Sequence, residues 1–287
     1  MANCIRCGRK LSGLTFGKKI CPWCHQHEAA QRGELADDVP QPVIAAPWTR
    51  RSESTITLTR LLFGANVAVY IAMALASGSV IDFPGRTLGA FGANYGPLTL
   101  TGDWWRLFTY MFLHGGLMHI AFNMWCLWDL GDLAENLYGR WTFGAIYLIT
   151  GVAAGVASIA WNPLAVSVGA SGAIFGLAGA LAASFYLGEF SIPRVAIQGT
   201  LRSLVVFIIF NVAFGTIFPG VDNAAHVGGL VSGVIAGAAI AKIAPHADVP
   251  ARRFLVLAFL AVAVTAAAVG VHHWRGAQIL QFYFHRQ

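Results

Sequence analysis

The sequence predicts an all-α polytopic membrane protein carrying a small cysteine-rich module at its N-terminus, and three observations carry that prediction. Hydrophobic residues make up 56% of the 287 residues and charged residues only 11%, against roughly 25% charged in an ordinary soluble protein. Mean hydropathy is correspondingly high, at +0.61. From residue 61 onward, uncharged apolar windows follow one another. Four of the five cysteines lie in two Cys-x-x-Cys pairs within the first 24 residues. This composition excludes a disordered chain and a typical soluble enzyme.

The N-terminal region is compositionally separate. Cys4-x-x-Cys7 is followed after 13 residues by Cys21-x-x-Cys24. That is the spacing of a zinc ribbon, in which two turns each present two thiolates to one tetrahedral ion. About 30 residues are too few to build a core of their own, so a structural zinc ion is the expected fold-holding element. Pro40, Pro42 and Pro47 then mark an extended tether, since proline removes a helix donor and fixes φ. No apolar signal-peptide stretch opens the chain. The expected organisation is a ribbon-like module over residues 1–30, a linker over 31–57, a six-span core over 58–245, and a seventh helix with an external tail over 246–287.

The windows without Asp, Glu, Lys or Arg are Leu61–Ile81, Leu107–Trp128, Trp141–Trp161, Leu164–Gly188, Ser203–Val221, Asn223–Ala241 and Phe254–Trp274. Each is near or above the ~18–20 residues that cross a bilayer. Backbone polar groups in lipid must pair within the segment, so these are helices. His114-Gly115-Gly116 breaks the second window, which places a short interfacial helix before it and the true span at about 117–137. Asn162-Pro163 opens the fourth, so its helix starts near Ser171. The first loop, about 82–106, is rich in glycine and aromatics and reads as ordered.

The net charge of +6 is not a nucleic-acid signal. Nine of the 19 Lys and Arg fall in residues 1–60, and most others punctuate the apolar runs. With the N-terminus in the cytosol, 15 of the 19 lie on the cytosolic side and four on the other. The positive-inside rule therefore sets the N-terminus inside and the C-terminus outside after seven spans, in a cell (inner) membrane. A cytosolic module keeps its thiols reduced, which favours zinc over disulfides.

Polar groups at membrane depth are costly and each is a functional candidate. Ser171 sits in Gly169-Ala170-Ser171-Gly172 at a helix start, where unpaired N–H groups and the helix dipole favour a developing negative charge. By itself, a serine among glycines is more commonly a packing residue. His226 precedes Gly229, Gly233 and Gly237, and Ser171 precedes Gly172, Gly176 and Ala180, at the same four-residue period. Small residues on both helices permit close backbone approach. Both polar residues lie early in outside-to-inside spans, so their depths match and a hydroxyl can meet an imidazole. No acidic residue is evident nearby, so the expected unit is a dyad. His119 and Asn123, four apart on the second span, share a face and can donate hydrogen bonds to an oxyanion.

Gly169-Ala170-Ser171-Gly172, Ala225-His226-x-x-Gly229, His119-x-x-x-Asn123 and Trp105-Arg106 together resemble, in order, the rhomboid family of intramembrane serine proteases. The resemblance covers about 58–245. It implies a six-helix core, Ser171 as nucleophile, His226 as general base, and His119, Asn123 and the Ser171 N–H as an oxyanion hole. It implies no cofactor for catalysis, and as substrates single-pass membrane proteins cut in or near their transmembrane segment. Trp105-Arg106 matches a structural element of the first external loop. Phe175 stands one turn after the serine, where some members carry a tyrosine stacked on the histidine. The seventh helix matches members with an added C-terminal span. The resemblance assigns no partner to the ribbon.

The alternatives are an inactive relative that binds transmembrane helices and a transporter. Loss of the serine or histidine would mark the first, and both are present. The second calls for buried mid-span carboxylates on a pathway, which the windows lack. The absence of His-Glu-x-x-His and of a mid-span aspartate pair excludes metallo- and aspartyl intramembrane proteases.

Overall fold

A computed structural model of the chain describes residues 4–7, 20, 24, 57–188, 194–217, 220–244 and 250–284. The long helices are α1 (Leu58–Ser77), α5 (Leu117–Tyr138), α6 (Arg140–Trp161), α7 (Ser171–Leu187), α8 (Arg194–Ile217), α9 (Asn223–Ile243) and α10 (Pro250–Phe284). The loop between α1 and α5 carries α2 (Gly85–Phe91), α3 (Gly96–Thr99), α4 (Arg106–Thr109) and a 3-10 turn, Tyr110–Phe112. The helix of the second window therefore starts just after the His114-Gly115-Gly116 break, and that of the fourth starts at Ser171, as the sequence predicts.

Three features differ from the sequence expectation. α8 begins nine residues before Ser203, and α10 runs on to Phe284 where an external tail was expected. Charged residues such as Arg202 and Arg275 are compatible with helix, because long side chains reach the interface while the backbone continues. The all-helical expectation also missed a two-residue antiparallel ladder, β1 (Asn94–Tyr95) with β2 (Val166–Ser167), pairing Asn94 with Ser167 and Tyr95 with Val166.

Five of these helices, α1, α6, α8, α9 and α10, are each long and apolar enough to cross a membrane. α7 has only 17 residues, and α5 carries His119, Asn123, Asp129, Asp132 and Glu135. Thirteen of the 17 residues of α7 are buried, so it is the centre of the bundle, walled by α6, α9, α5 and α8. A helix surrounded by protein has no need to match the bilayer.

The α7–α9 contact is made of backbone. A Cβ on Gly229 would strike the Gly172 carbonyl, one on Gly233 the Gly176 carbonyl, and one on Gly237 the Ala180 carbonyl. From the other side, a Cβ on Gly179 would lie 2.5 Å from the Leu230 carbonyl oxygen. The four-residue glycine stripe is thus a zipper, and its register fixes the relative height of the two helices.

Polar clamps hold the rest. The Glu135 carboxylate on α5 accepts the Leu58 N–H (2.9 Å), the Thr59 N–H (2.8 Å) and the Thr59 hydroxyl (2.8 Å), tying the start of α1 to α5. On α10, Arg253 donates to the Tyr138 and Ala244 carbonyls, and Arg275 donates twice to the Ala160 carbonyl. Those acceptors lie at or near the ends of α5, α9 and α6, where carbonyls lack helical partners. One arginine near each end therefore docks the last helix on the bundle.

Gly233→Ala is expected to lower thermal stability in detergent, by about 1–3 kcal/mol for an overpacked contact. Gly270→Ala on α10, with nothing within 4 Å of the added methyl, serves as the control and should leave the melting midpoint unchanged. Equal midpoints for both variants would show that the zipper does not set stability.

Candidate active site

Ser171 is the first residue of α7, and the preceding residue, Ala170, provides no side-chain cap. The N–H groups of the first turn therefore point into the site without an intrahelical partner. Gly169 reaches this position with φ +126°, and its N–H donates to the Tyr110 carbonyl (2.9 Å). A Cβ on Gly169 would also lie 2.8 Å from His119 Nε2. Glycine is required here both by backbone conformation and by space.

His226 lies on the first turn of α9 and is buried. Its Nε2 stands 2.9 Å from Ser171 Oγ. The zipper brings the two together, as the matched depths predict. For the serine to donate, Nε2 must be the unprotonated nitrogen, leaving the ring proton on Nδ1. Phe175, one turn into α7, stacks on the His226 ring with centroids 4.3 Å apart and planes at 11°. Phe207 of α8 packs behind it at 5.7 Å. The imidazole is therefore held flat against an aromatic face and cannot swing.

His119 closes another side. The Gly115 N–H donates to His119 Nδ1 (3.2 Å), which places the proton of the neutral ring on Nε2. That nitrogen faces Gly169, so an N–H donor is aimed at the approach to Ser171. Asn123 lies on the same face of α5, buried, and its amide donates to the His119 carbonyl at 2.9 Å. Its second amide proton remains for another acceptor.

The loop before α5 frames this group. Arg106 is buried, with its Nη1 donating to the Gly89 (2.8 Å) and Ala93 (3.3 Å) carbonyls and its Nε to Asp103 (2.9 Å). Trp105 is half exposed, beneath the Arg106 guanidinium at 4.6 Å. Their structural role is direct: Arg106 folds the loop around itself. The β1–β2 ladder and the Gly96 N–H to Pro163 carbonyl bond (2.9 Å) then tie that loop to the segment leading into Ser171.

Two residues near the site escaped the sequence reading. His114 is fully buried, its ring 5.1 Å from that of His119; its only signal was the glycine pair that follows it. Asp222 immediately precedes α9, four residues before His226, and so an acidic residue is nearby after all. It lies outside the apolar windows, where buried acids were sought.

At the N-terminus, the Sγ atoms of Cys4, Cys7 and Cys24 lie within 4.8 Å of one another, with Cys4 and Cys24 at 3.9 Å. Cys21 lies outside the described residues.

A Rhomboid domain matches residues 101–243, a stretch that contains Trp105, Arg106, His119, Asn123, Ser171 and His226. Rhomboid protease AarA of Providencia stuartii is 36% identical over 220 residues, covering 69% of this chain and 76% of that protein. The chain belongs to the rhomboid family. Rhomboid protease GluP of Bacillus subtilis (strain 168) is 36% identical over 229 residues, 78% of this chain. RHOMBOID-like protein 1 of Arabidopsis thaliana is 38% identical over 139 residues. This rhomboid spans 43% of the length of GluP and 33% of that of the plant protein.

Proposed function

We propose that this rhomboid is an intramembrane serine endopeptidase that cleaves transmembrane segments of single-pass membrane proteins. The observation that carries the proposal is the 2.9 Å approach of Ser171 Oγ to His226 Nε2, in a chain of this family. His226 takes the serine proton as Oγ attacks the scissile carbonyl. The resulting oxyanion faces the first N–H groups of α7, the His119 Nε2–H and the Asn123 amide. His226 then passes its proton to the leaving amine, and water, deprotonated by the same nitrogen, releases the acyl group. None of these steps calls for a metal or cofactor. An inactive helix binder has no use for a stacked imidazole aimed at a serine on the first turn of a buried helix, so the geometry favours cleavage.

We place the protein in a cell membrane with seven spans, N-terminus cytoplasmic and C-terminus external, on the 15-to-4 distribution of positive residues. In that orientation α7 is short for a span: 17 residues cover ~25 Å at 1.5 Å each, against a hydrocarbon core of ~30 Å. A central helix that short keeps Ser171 below the outer surface, at the depth of a substrate's transmembrane segment.

The cysteine module we read as a zinc ribbon at residues 1–30, joined by the 31–57 linker to the catalytic core at 58–245, with 246–287 holding the docked seventh helix and the external tail. Two thiolates on one tetrahedral zinc are about 3.8 Å apart for Zn–S bonds of ~2.3 Å. The 3.9 Å between Cys4 and Cys24 fits that spacing, with Cys7 and Cys21 completing the set. The metal here folds the module and takes no part in cleavage.

Ser171→Ala and His226→Ala are each expected to abolish cleavage of a model transmembrane substrate while the protein stays folded. The double variant should be no worse than either single one, because the pair acts as a unit. Full activity in Ser171→Ala would remove the serine-protease reading.

Asn123→Ala should lower turnover by roughly 10–1,000-fold, the scale for one preorganised donor, with substrate binding unchanged. Weaker binding with intact turnover per bound substrate would make Asn123 a packing residue instead.

Metal analysis of the full chain under reducing conditions should find one zinc per molecule, lost in Cys4→Ser. Deletion of residues 1–45 should leave detergent activity nearly intact. A metal-free wild-type protein would sink the ribbon assignment, and lost activity on deletion would show that the module docks on the core.

A further inference from the structure

Asp222, just before α9, is held by more bonds than a helix cap needs. Its main-chain carbonyl accepts the His226 N–H (3.1 Å), and Oδ1 accepts the Ala225 N–H (3.0 Å). These are the bonds of an ordinary N-cap. Oδ2 makes a further one, accepting the hydroxyl of Ser158 on α6 at 2.5 Å. Ser158 is itself buried, 3% exposed. The carboxylate is thus fixed from two helices, one turn before the histidine, within electrostatic reach of the His226 ring.

His226 has an unanswered requirement. Its Nδ1 is buried and has no hydrogen-bond partner among the described residues. When Nε2 takes the proton of Ser171, the ring becomes a buried cation without a bonded anion, and burying an unpaired charge is costly. His119, the other ionisable group that interacts with the ring, offers no compensating charge, since its neutral form is the one the Gly115 bond selects.

We infer that Asp222, clamped by Ser158, is a positioning residue that stabilises the His226 imidazolium through space, supplying the charge of a third member without its hydrogen bond. The inference rests on reading Ser171 and His226 as the reacting pair. It deepens that reading by extending the unit to α6, which sets the carboxylate's position. The fold supports such a role: α6 packs on both α7 and α9, so the Ser158 bond keeps the carboxylate in register with the zipper.

The test compares kcat and KM of the full chain in detergent on one model transmembrane substrate. Asp222→Asn keeps an acceptor for the Ala225 N–H, turns the Ser158 contact into one in which the amide donates to the hydroxyl, and remains as good an N-cap as aspartate, so the charge is the main thing removed. Its kcat is expected to fall roughly 10- to 50-fold, the scale of losing one nearby unit charge at an effective dielectric of about 20. KM and the melting midpoint should stay at wild-type values. Asp222→Glu, which retains the charge, should recover most of the lost turnover, and Ser158→Ala should lose a smaller part of it. Wild-type kcat in Asp222→Asn would reduce Asp222 to a helix cap and overturn the inference. Equal losses in Asn and Glu would overturn it too, by showing that cap geometry and not charge is what matters. Ser171→Ala, run alongside, separates the two readings: if it still cleaves, the dyad itself fails, whatever Asp222 does.

Discussion

The carbonyl of Gly172 lies where a side chain on Gly229 would have to go, and the same holds one and two turns further along α7 and α9. Much else in this structure depends on that contact. Two helices whose backbones touch cannot slide, so the height of His226 relative to Ser171 is set by glycines up to eleven residues away. The 2.9 Å spacing of the pair is thus a consequence of packing rather than of any bond between them. It also explains why α7 is the most enclosed helix: close approach on one side draws α6 in on another, where the Thr150 side chain fills the space that a Cβ on Gly176 would take.

Around that rigid pair the remaining parts act as stops. Phe175 holds the imidazole plane, Gly115 selects the His119 tautomer, and Arg106 holds the loop whose Tyr110 carbonyl orients Gly169. Each uses an ordinary interaction, and together they leave His226 Nε2 against Ser171 Oγ and His119 Nε2 facing Gly169. Preorganisation of this kind is what an acyl-transfer site needs, because donors that are already aligned need not reorganise as charge develops. The arginines of α10 act further out, joining the seventh helix to carbonyls at the ends of three others.

Much of this was legible in the sequence, for a physical reason. In a membrane a polar residue or a glycine stripe stands out against an apolar background, so Ser171, His226, His119, Asn123 and the zipper positions announced themselves, and a shared period and depth paired them. Phe175 was legible only through the family resemblance, which places an aromatic ring one turn after the serine. What lay at the edges of the windows was not. Asp222 was passed over, because its contact with Ser158, 64 residues earlier, exists only once the chain has folded. The early start of α8 and the length of α10 were hidden by charges that a helix tolerates once it leaves the apolar layer. The β1–β2 ladder is two residues long and has no periodicity to read.

The claim at the centre of this account is that packing turns one serine among many into a nucleophile. The most direct measurement is to react the folded full chain with a fluorophosphonate and to map the adduct by mass spectrometry. The account predicts a single adduct on Ser171 Oγ that disappears in His226→Ala. An adduct on another serine, or one on Ser171 that forms equally well without His226, would contradict it.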